Sequence, residues 1–393
     1  MKKGKAYFGL GVFFIGIILF FGMTAFSLAD EGPLLEEAEQ ETEISDFQEM
    51  EPKAAAEWEI KPVKGRSPFN LDVGADIKYD SNVFEYSKSD MDERDAGTNP
   101  DRFSGVRSIN DVVTRLYGIA RVKSNIFDFG TTTLGAGLKG DIYGKNPSKS
   151  YLNLQATARQ AIGKKHLLRI GYDLIPSYFV RTLYARNEPR GQRYKKAAYM
   201  SNAVHLKYWN GISDVFSWWM RYTYEYKDYN KFFPDRDTSS NRLTTTLRIQ
   251  PEDWIKFNPY FRYSWNNARG RIGKEYSMPD ISRNGFDTGT EVWLFPDEPF
   301  TVIGRYDFRW DYYTTSQSAT EDPYHSGRTQ GRNRITGKLF YAISKSVNLF
   351  TEYQYTTRSV NTKAAGAGAT VLEGEAILGY DKHVARLGAS IAF

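Results

Sequence analysis

"HVARLGASIAF", His383 to Phe393, ends the chain, and its alternation decides the fold. Ala385, Leu387, Ala389, Ile391 and Phe393 share one side of an extended backbone, while Arg386, Gly388, Ser390 and Ala392 share the other. A period of two with one apolar face is a β-strand. The spacing recurs upstream. FNLDVGADIKYD (69–80) sets Phe69, Leu71, Val73, Ala75, Ile77 and Tyr79 against Asn70, Asp72, Gly74, Asp76, Lys78 and Asp80. FSWWMRYTYEYK (216–227) sets Trp218, Met220, Tyr222 and Tyr224 against Ser217, Trp219, Arg221, Thr223 and Glu225. Helical spacing would mix these sets.

Applied along the chain, the count predicts strands near 69–80, 110–122, 131–143, 150–160, 166–175, 198–209, 215–228, 241–250, 254–266, 284–295, 300–313, 331–343, 347–357 and 380–393. The links alternate in length. Long ones (81–109, 176–197, 229–240, 267–283, 314–330 and 358–379, with a short exception at 144–149) take turns with tight ones such as IGKKH, NGISD, PED, PDEP and SKS. Long loops on one side and short turns on the other define an all-β, transmembrane, antiparallel up-and-down β-barrel of about 14 strands. The even number places both ends on the periplasmic side. VLEGEAILGY (371–380) also has a strand-like pattern, but a fifteenth strand would break that parity, so it is assigned to the last outer loop.

Composition agrees once the fold is known. Mean hydropathy is −0.54 and a quarter of the residues are charged, values that a barrel tolerates because lipid-facing and lumen-facing residues alternate. The 27 Tyr and 25 Phe suit aromatic belts at two membrane interfaces. Cysteine is absent, which excludes a disulfide framework, a thiol nucleophile and covalent haem attachment by this chain. No cofactor is expected.

The first residues set the compartment. Lys2, Lys3 and Lys5 precede an uncharged run from Tyr7 to Leu28, and Ser27-Leu28-Ala29 is a small-x-small cleavage signal. The run is also long enough to span as an uncleaved anchor, but the cleavage site favours export. Residues 1–29 read as a signal peptide and 30–67 as an acidic, disordered periplasmic segment, in which Asp30 to Glu59 carries twelve carboxylates against Lys53. Residues 68–393 form the barrel. That places the protein in the Gram-negative outer membrane.

The terminal Phe393, with Leu387, Ala389 and Ile391 at alternate positions before it, resembles the C-terminal assembly signal of Gram-negative outer-membrane β-barrels. The resemblance covers the architecture of about residues 68–393 and implies contact with the barrel-assembly machinery. KYDSNVFEY (78–86) resembles the first strand of poorly characterised outer-membrane proteins, some linked to surface polysaccharide.

Function must come from lumen and loops, because one barrel fold hosts many activities. The inward side of the predicted strands is dense in cations: Arg169, Lys207, Arg221, Arg242, Arg248 and Lys256, then Arg262, Arg305, Arg309, Arg334, Lys338 and Arg386. Facing them are Asp72, Asp76, Asp141, Asp173, Glu225, Glu291, Asp307, Asp311 and Glu352. From residue 60 onward, 48 Lys and Arg stand against 35 Asp and Glu, a net of +13. Such a lining favours anions, unless the charges pair across strands and fill the barrel. A porin-like channel for small or anionic solutes or saccharides is the leading reading. A sleeve for a partner, either polysaccharide export machinery or a multihaem cytochrome contacting the acidic segment, is the alternative.

Catalysis has thin support. Asp90, Asp92, Glu93, Asp95 and Asp101, near Asp80 and Asn82, supply oxygens of the kind calcium uses, but not at calcium-loop spacing; a solvated acidic loop is expected. His166 and His383 are expected near periplasmic strand starts, and His205 inward. His325, beside Glu321, Asp322 and Ser326, is expected on a mobile outer loop, the only place where a hydrolase base would fit. Tyr184, Arg186, Arg190, Arg193, Tyr194 and Lys195 could meet lipopolysaccharide phosphates. No phosphate loop, zinc spacing or nucleic-acid module is present.

Deleting Phe393 should leave the precursor exported but poorly inserted, with a misfolded form accumulating in the periplasm. A normal heat-modifiable barrel in the outer membrane would show that the ending is dispensable.

Overall fold

Fourteen strands follow one another along the chain: β1 (Phe69–Asp80), β2 (Asp111–Phe127), β3 (Gly130–Tyr143), β4 (Tyr151–Ile162), β5 (His166–Tyr184), β6 (Tyr194–Gly211) and β7 (Phe216–Tyr229). They continue with β8 (Thr238–Glu252), β9 (Ile255–Ala268), β10 (Arg283–Leu294), β11 (Phe300–Tyr313), β12 (Thr329–Ala342), β13 (Val347–Asn361) and β14 (Tyr380–Ala392). The computed structural model describes residues 69–127, 130–163, 165–185, 188, 194–269, 280–296, 298–315, 318, 325–361 and 379–393. The expected leader at 1–29, the acidic segment at 30–67 and most of VLEGEAILGY lie outside the described residues.

Each strand pairs antiparallel with its neighbours in sequence, and β1 pairs with β14, so the sheet is a closed barrel. The closing register runs from Asp72 opposite Ala392 to Asp80 opposite Val384. Beyond it, the Phe393 N–H donates to the Leu71 carbonyl at 2.8 Å, and the Leu71 N–H donates to the Phe393 carbonyl at 3.2 Å. The last residue is thus a rung of the closure, and its ring is 72% exposed on the outer face. Small inward residues at this seam make room for rings. Tyr117 of β2 lies over Gly74 and Phe350 of β13 over Gly388, where an added Cβ would meet ring atoms at 2.2 and 2.5 Å.

The outer face carries the alternation read from sequence. Ile77, Leu116, Leu138, Ile170, Leu206, Ile335 and Leu387 are exposed apolar residues on successive parts of the wall. Outward tyrosines share the surface with polar side chains of the neighbouring strand. Tyr172 donates to Asn202, Tyr222 to Asn241 and Tyr306 to Asn333, at 2.6, 2.6 and 2.8 Å. A phenol with a bonded hydroxyl and an apolar ring suits a membrane interface. Closed, apolar outside and charged inside, the chain is a transmembrane β-barrel of the outer-membrane type. No helix among the described residues is long and apolar enough to cross a membrane.

Two elements differ from the sequence reading. The link expected at 176–197 is mostly strand, because β5 runs to Tyr184 and β6 starts at Tyr194. Register shifts between Ile175 and Tyr178 and between Phe179 and Arg181 break the period of two there. The burial pattern hides the strand as well: residues 178–183 are buried at every position, so the two faces cannot be told apart by polarity. Tyr184 and Tyr194 are therefore an in-register strand pair; Arg186, Arg190 and Arg193 lie outside the described residues. Second, His383 is at the outer end of β14, not at a periplasmic strand start: the Ser81 N–H, at the foot of the first long loop, donates to its carbonyl, and its N–H donates to the Ser81 hydroxyl. β14 begins on the outer side, which reverses the expected placement.

A cysteine at Asp101, exposed in the first long loop, should react with a membrane-impermeant thiol reagent on intact cells. One at Ser346, in the short turn between β12 and β13, should react only after the outer membrane is opened. The opposite pattern would invert the sidedness.

Candidate functional site

The inward face offers the chemistry, and strand register decides what its charges do. Seven of the twelve cations expected there are held by carboxylates. Arg242 bonds Glu225 at 2.8 Å, Arg262 lies 3.5 Å from Asp287, and Arg305 and Arg334 both reach Asp307 at 2.8 Å. Arg309 bonds Asp311 at 2.9 Å and lies 3.6 Å from Asp287. Lys338 sits 3.6 Å from Glu352, which Arg386 shares at 3.3 Å while facing Asp76 at 3.5 Å. Lys207 and Lys256 lie over Trp219 and Trp293, 3.9 and 3.7 Å from the ring centroids, and Arg221 also faces Trp219. Arg248 donates to Gln250 at 2.7 Å. Arg115, absent from the expected set, forms a bidentate pair with Asp141 at 2.7 and 2.8 Å. Most of the wall is therefore locally neutral.

Two rows are different. Near the short-turn end, Arg159 of β4, Arg169 of β5, Lys207 of β6 and Arg221 of β7 stand directly opposite one another from strand to strand. Near the long-loop end, Arg309 of β11, Arg332 of β12 and Arg358 of β13 do the same. No carboxylate interrupts either row, although like charges directly opposite each other in a sheet are unfavourable. Arg159, Arg332 and Arg358 were not singled out from sequence. Arg159 and Arg332 lie at inward positions of expected strands and Arg358 one residue past the expected end of its strand, but a row exists only once pairing is known.

The first long loop is folded into the barrel mouth. It is only in part the solvated acidic loop expected from its charges: Asp92, Asp95 and Asp101 are exposed, but Asp90 is buried. Val83, Phe84, Tyr86 and Phe103 form a buried cluster with Val113, Tyr143 and Phe179 of the barrel wall. Phe84 stacks near Tyr86 at 5.6 Å and carries the fully buried Lys149 over its ring at 4.9 Å. Lys149 also donates to the Val180 carbonyl at 3.1 Å, and burial among rings pushes its pKa well below the usual lysine value. Arg181 of β5 donates to the Phe84 carbonyl and Thr182 to the Ser104 carbonyl.

Two acids of this loop, Asp90 and Glu93, are consumed within it, while Asp92, Asp95 and Asp101 are exposed. Asp90 at the third position of α1 (Lys88–Asp95) completes a capping box with Ser87, accepting from its N–H at 2.9 Å and donating its own N–H to Ser87 Oγ at 3.1 Å. Arg102 bonds both Asp90 and Glu93, and Asn99 donates to Glu93 at 2.6 Å. Asp80 accepts from the Asn82 N–H and pairs with Lys382 at 3.1 Å. Among the described residues no group of His, Cys, Asp or Glu could hold a metal ion.

The histidines do not assemble a catalytic group. His205 is buried with Nε2 2.5 Å from Asp173 and Nδ1 3.0 Å from Thr223, so both ring nitrogens are engaged. The small polar cavity beside it, lined by Asp173, Ser201, His205, Glu225 and Arg242, has room for about one water. His325, expected on a mobile loop, is fully buried, with its ring 5.3 Å from that of Tyr313. Glu321 and Asp322 lie outside the described residues.

No family model and no curated protein matches the chain. Among solved structures it is similar to the outer membrane channel DcaP of Acinetobacter baumannii: 13% identity, covering 83% of this chain and 96% of that one, TM-score 0.43. It is also similar to an anion-selective porin from Comamonas acidovorans (13% identity, 83% and 98% covered, TM-score 0.38) and to a Pseudomonas aeruginosa FadL homologue (12%, 82% and 89%, 0.42). At these identities and scores the likenesses assign no activity to this chain.

Removing a buried ring costs about 3–5 kcal/mol, and at Phe84 the first loop bears that loss. Trypsin added to intact cells should therefore cut the loop at Lys88 or Arg94 in Phe84→Ala but spare the wild type, with the barrel still heat-modifiable. Equal resistance would show that the aromatic cluster does not hold the loop.

Proposed function

We propose that the protein is an outer-membrane channel, narrowed at its outer mouth, that passes small anions, including acidic saccharides, in preference to cations. The observation that carries this reading is the pair of uninterrupted cation rows, one near each end of the lumen. Pairing removes most of the field that the bulk charge of +13 would suggest, so preference must come from where cations face cations. A row of guanidinium groups in a confined path raises the local anion concentration and offers bidentate contacts to carboxylate or phosphate. Rows near both ends let an anion be passed from one mouth to the other.

Around this core stand the other parts of the reading. Residues 1–29 direct export, 30–67 reach a basic periplasmic partner, and the Leu387, Ala389, Ile391 and Phe393 ending is read by the barrel-assembly machinery. Outer-loop cations meet lipopolysaccharide. Phe84 and Tyr86 standing in the mouth count against a sleeve, since a threaded polysaccharide exporter or cytochrome needs an open bore. The engaged nitrogens of His205 and the buried His325 count against a hydrolase.

Proteoliposomes carrying the wild type should swell faster in galacturonate than in neutral galactose, and changing Arg332 and Arg358 to Gln together should bring the two rates together. Equal rates in the wild type would overturn the preference.

A further inference from the structure

Glu85 is one of only three non-glycine residues with positive φ among the described residues, at +53°. Glutamate has no intrinsic reason to adopt that conformation, and strain of this kind persists where surrounding structure enforces it. The enforcement is visible on both sides. Phe84 and Tyr86 are fully buried. The Asn82 side chain spans the turn, accepting from the Tyr86 N–H at 2.9 Å and donating to the Tyr86 carbonyl at 2.7 Å. The aromatic neighbours face the β3–β5 side of the barrel, while the Glu85 carboxylate faces the other way.

There it meets the outer cation row. Glu85 lies 3.7 Å from the Lys382 ammonium of β14 and accepts from the Tyr380 hydroxyl. Burial would raise its pKa, but Lys382, Arg358 and Arg332 more than offset this and hold its carboxyl below the ordinary glutamate value. Arg358 is 6% exposed, lies over the Tyr380 ring at 4.5 Å, and has Nε and Nη2 without a hydrogen-bond partner among the described residues. Buried donors of a charged group are normally satisfied. The Glu85 carboxylate serves Lys382 and Tyr380 and leaves those two donors of Arg358 unmatched.

We propose that Arg332, Arg358, Tyr380 and Lys382 form a binding site for a small oxyanion such as inorganic phosphate, and that Glu85 is a tethered carboxylate occupying it until the solute displaces it. A phosphate has oxygens enough to accept from Lys382 and from both idle donors of Arg358. Displacement needs only a side-chain rotation, because Phe84, Tyr86 and Asn82 hold the loop independently of Glu85. The inference rests on the anion-preferring reading for its biological sense and on geometry for its content.

Calorimetric titration of the refolded barrel with inorganic phosphate at neutral pH tests it without requiring ion flow, after heat-modifiable mobility has shown each variant folded. Glu85→Gln should bind phosphate about tenfold more tightly than wild type, the scale of one charge-assisted contact. Adding Arg358→Gln should abolish the gain, and Glu85→Asp, which keeps the charge, should stay near wild type. Phosphate binding that is absent, unchanged or weaker in Glu85→Gln overturns the proposal, as does an equal gain in Glu85→Asp. A barrel that binds phosphate as expected yet conducts nothing removes the channel reading and leaves this one standing.

Discussion

Hydrocarbon offers no partner to a backbone N–H or C=O, so a sheet placed in a membrane must close on itself. Everything else in this chain depends on that closure. It runs from β1 to β14 through the paired register of Asp72–Asp80 with Val384–Ala392, and it extends to the two backbone bonds between Leu71 and Phe393. Once closed, the pleat sends alternate side chains to lipid and to the interior, which explains how so polar a composition can span a bilayer. The same geometry confines many cations and carboxylates within one lumen, where each must find a partner or be wet.

The resolution of those charges is uneven, and the proposed channel reading rests on that unevenness. Arg115 with Asp141, and Arg305 and Arg334 on Asp307, neutralise one another within a strand or two. Lys207 and Lys256 rest on indole faces. Register sets cation opposite cation along two rows, Arg159–Arg169–Lys207–Arg221 and Arg309–Arg332–Arg358, with no carboxylate between the cations in register. The first long loop then carries a carboxylate, Glu85, to the outer row on an aromatic base. Under the proposed channel reading, filling and conduction are not alternatives for the whole barrel but belong to different parts of it.

The strands were legible from alternation alone because one face of each meets lipid and the other meets charge. β1 and β11 match their expected spans, and the rest differ by a few residues at their ends except β5, which runs nine residues further. Alternation failed where that contrast vanished: at Tyr178 to Leu183, bulged and buried on both faces, the strand read as loop. Inward parity identified individual cations such as Arg309 and Arg334, but their partners lie on neighbouring strands, and pairing is a property of register that no single strand encodes. Arg332 had the right parity and Arg358 fell just past the expected end of its strand, so the row they make was missed. The first loop was misread for a different reason. Its carboxylates are conspicuous, whereas the residues that fold it inward, Val83, Phe84 and Tyr86, look like the end of a strand until Asn82 is seen to turn the chain.

The central claim is that two cation rows give an otherwise neutralised lumen a preference for anions. The reversal potential of the wild-type protein in a planar bilayer, under a KCl gradient, tests it most directly. The account predicts discrete conductance with a reversal potential of the sign set by chloride. A potential of the sign set by potassium, or near zero, would contradict it.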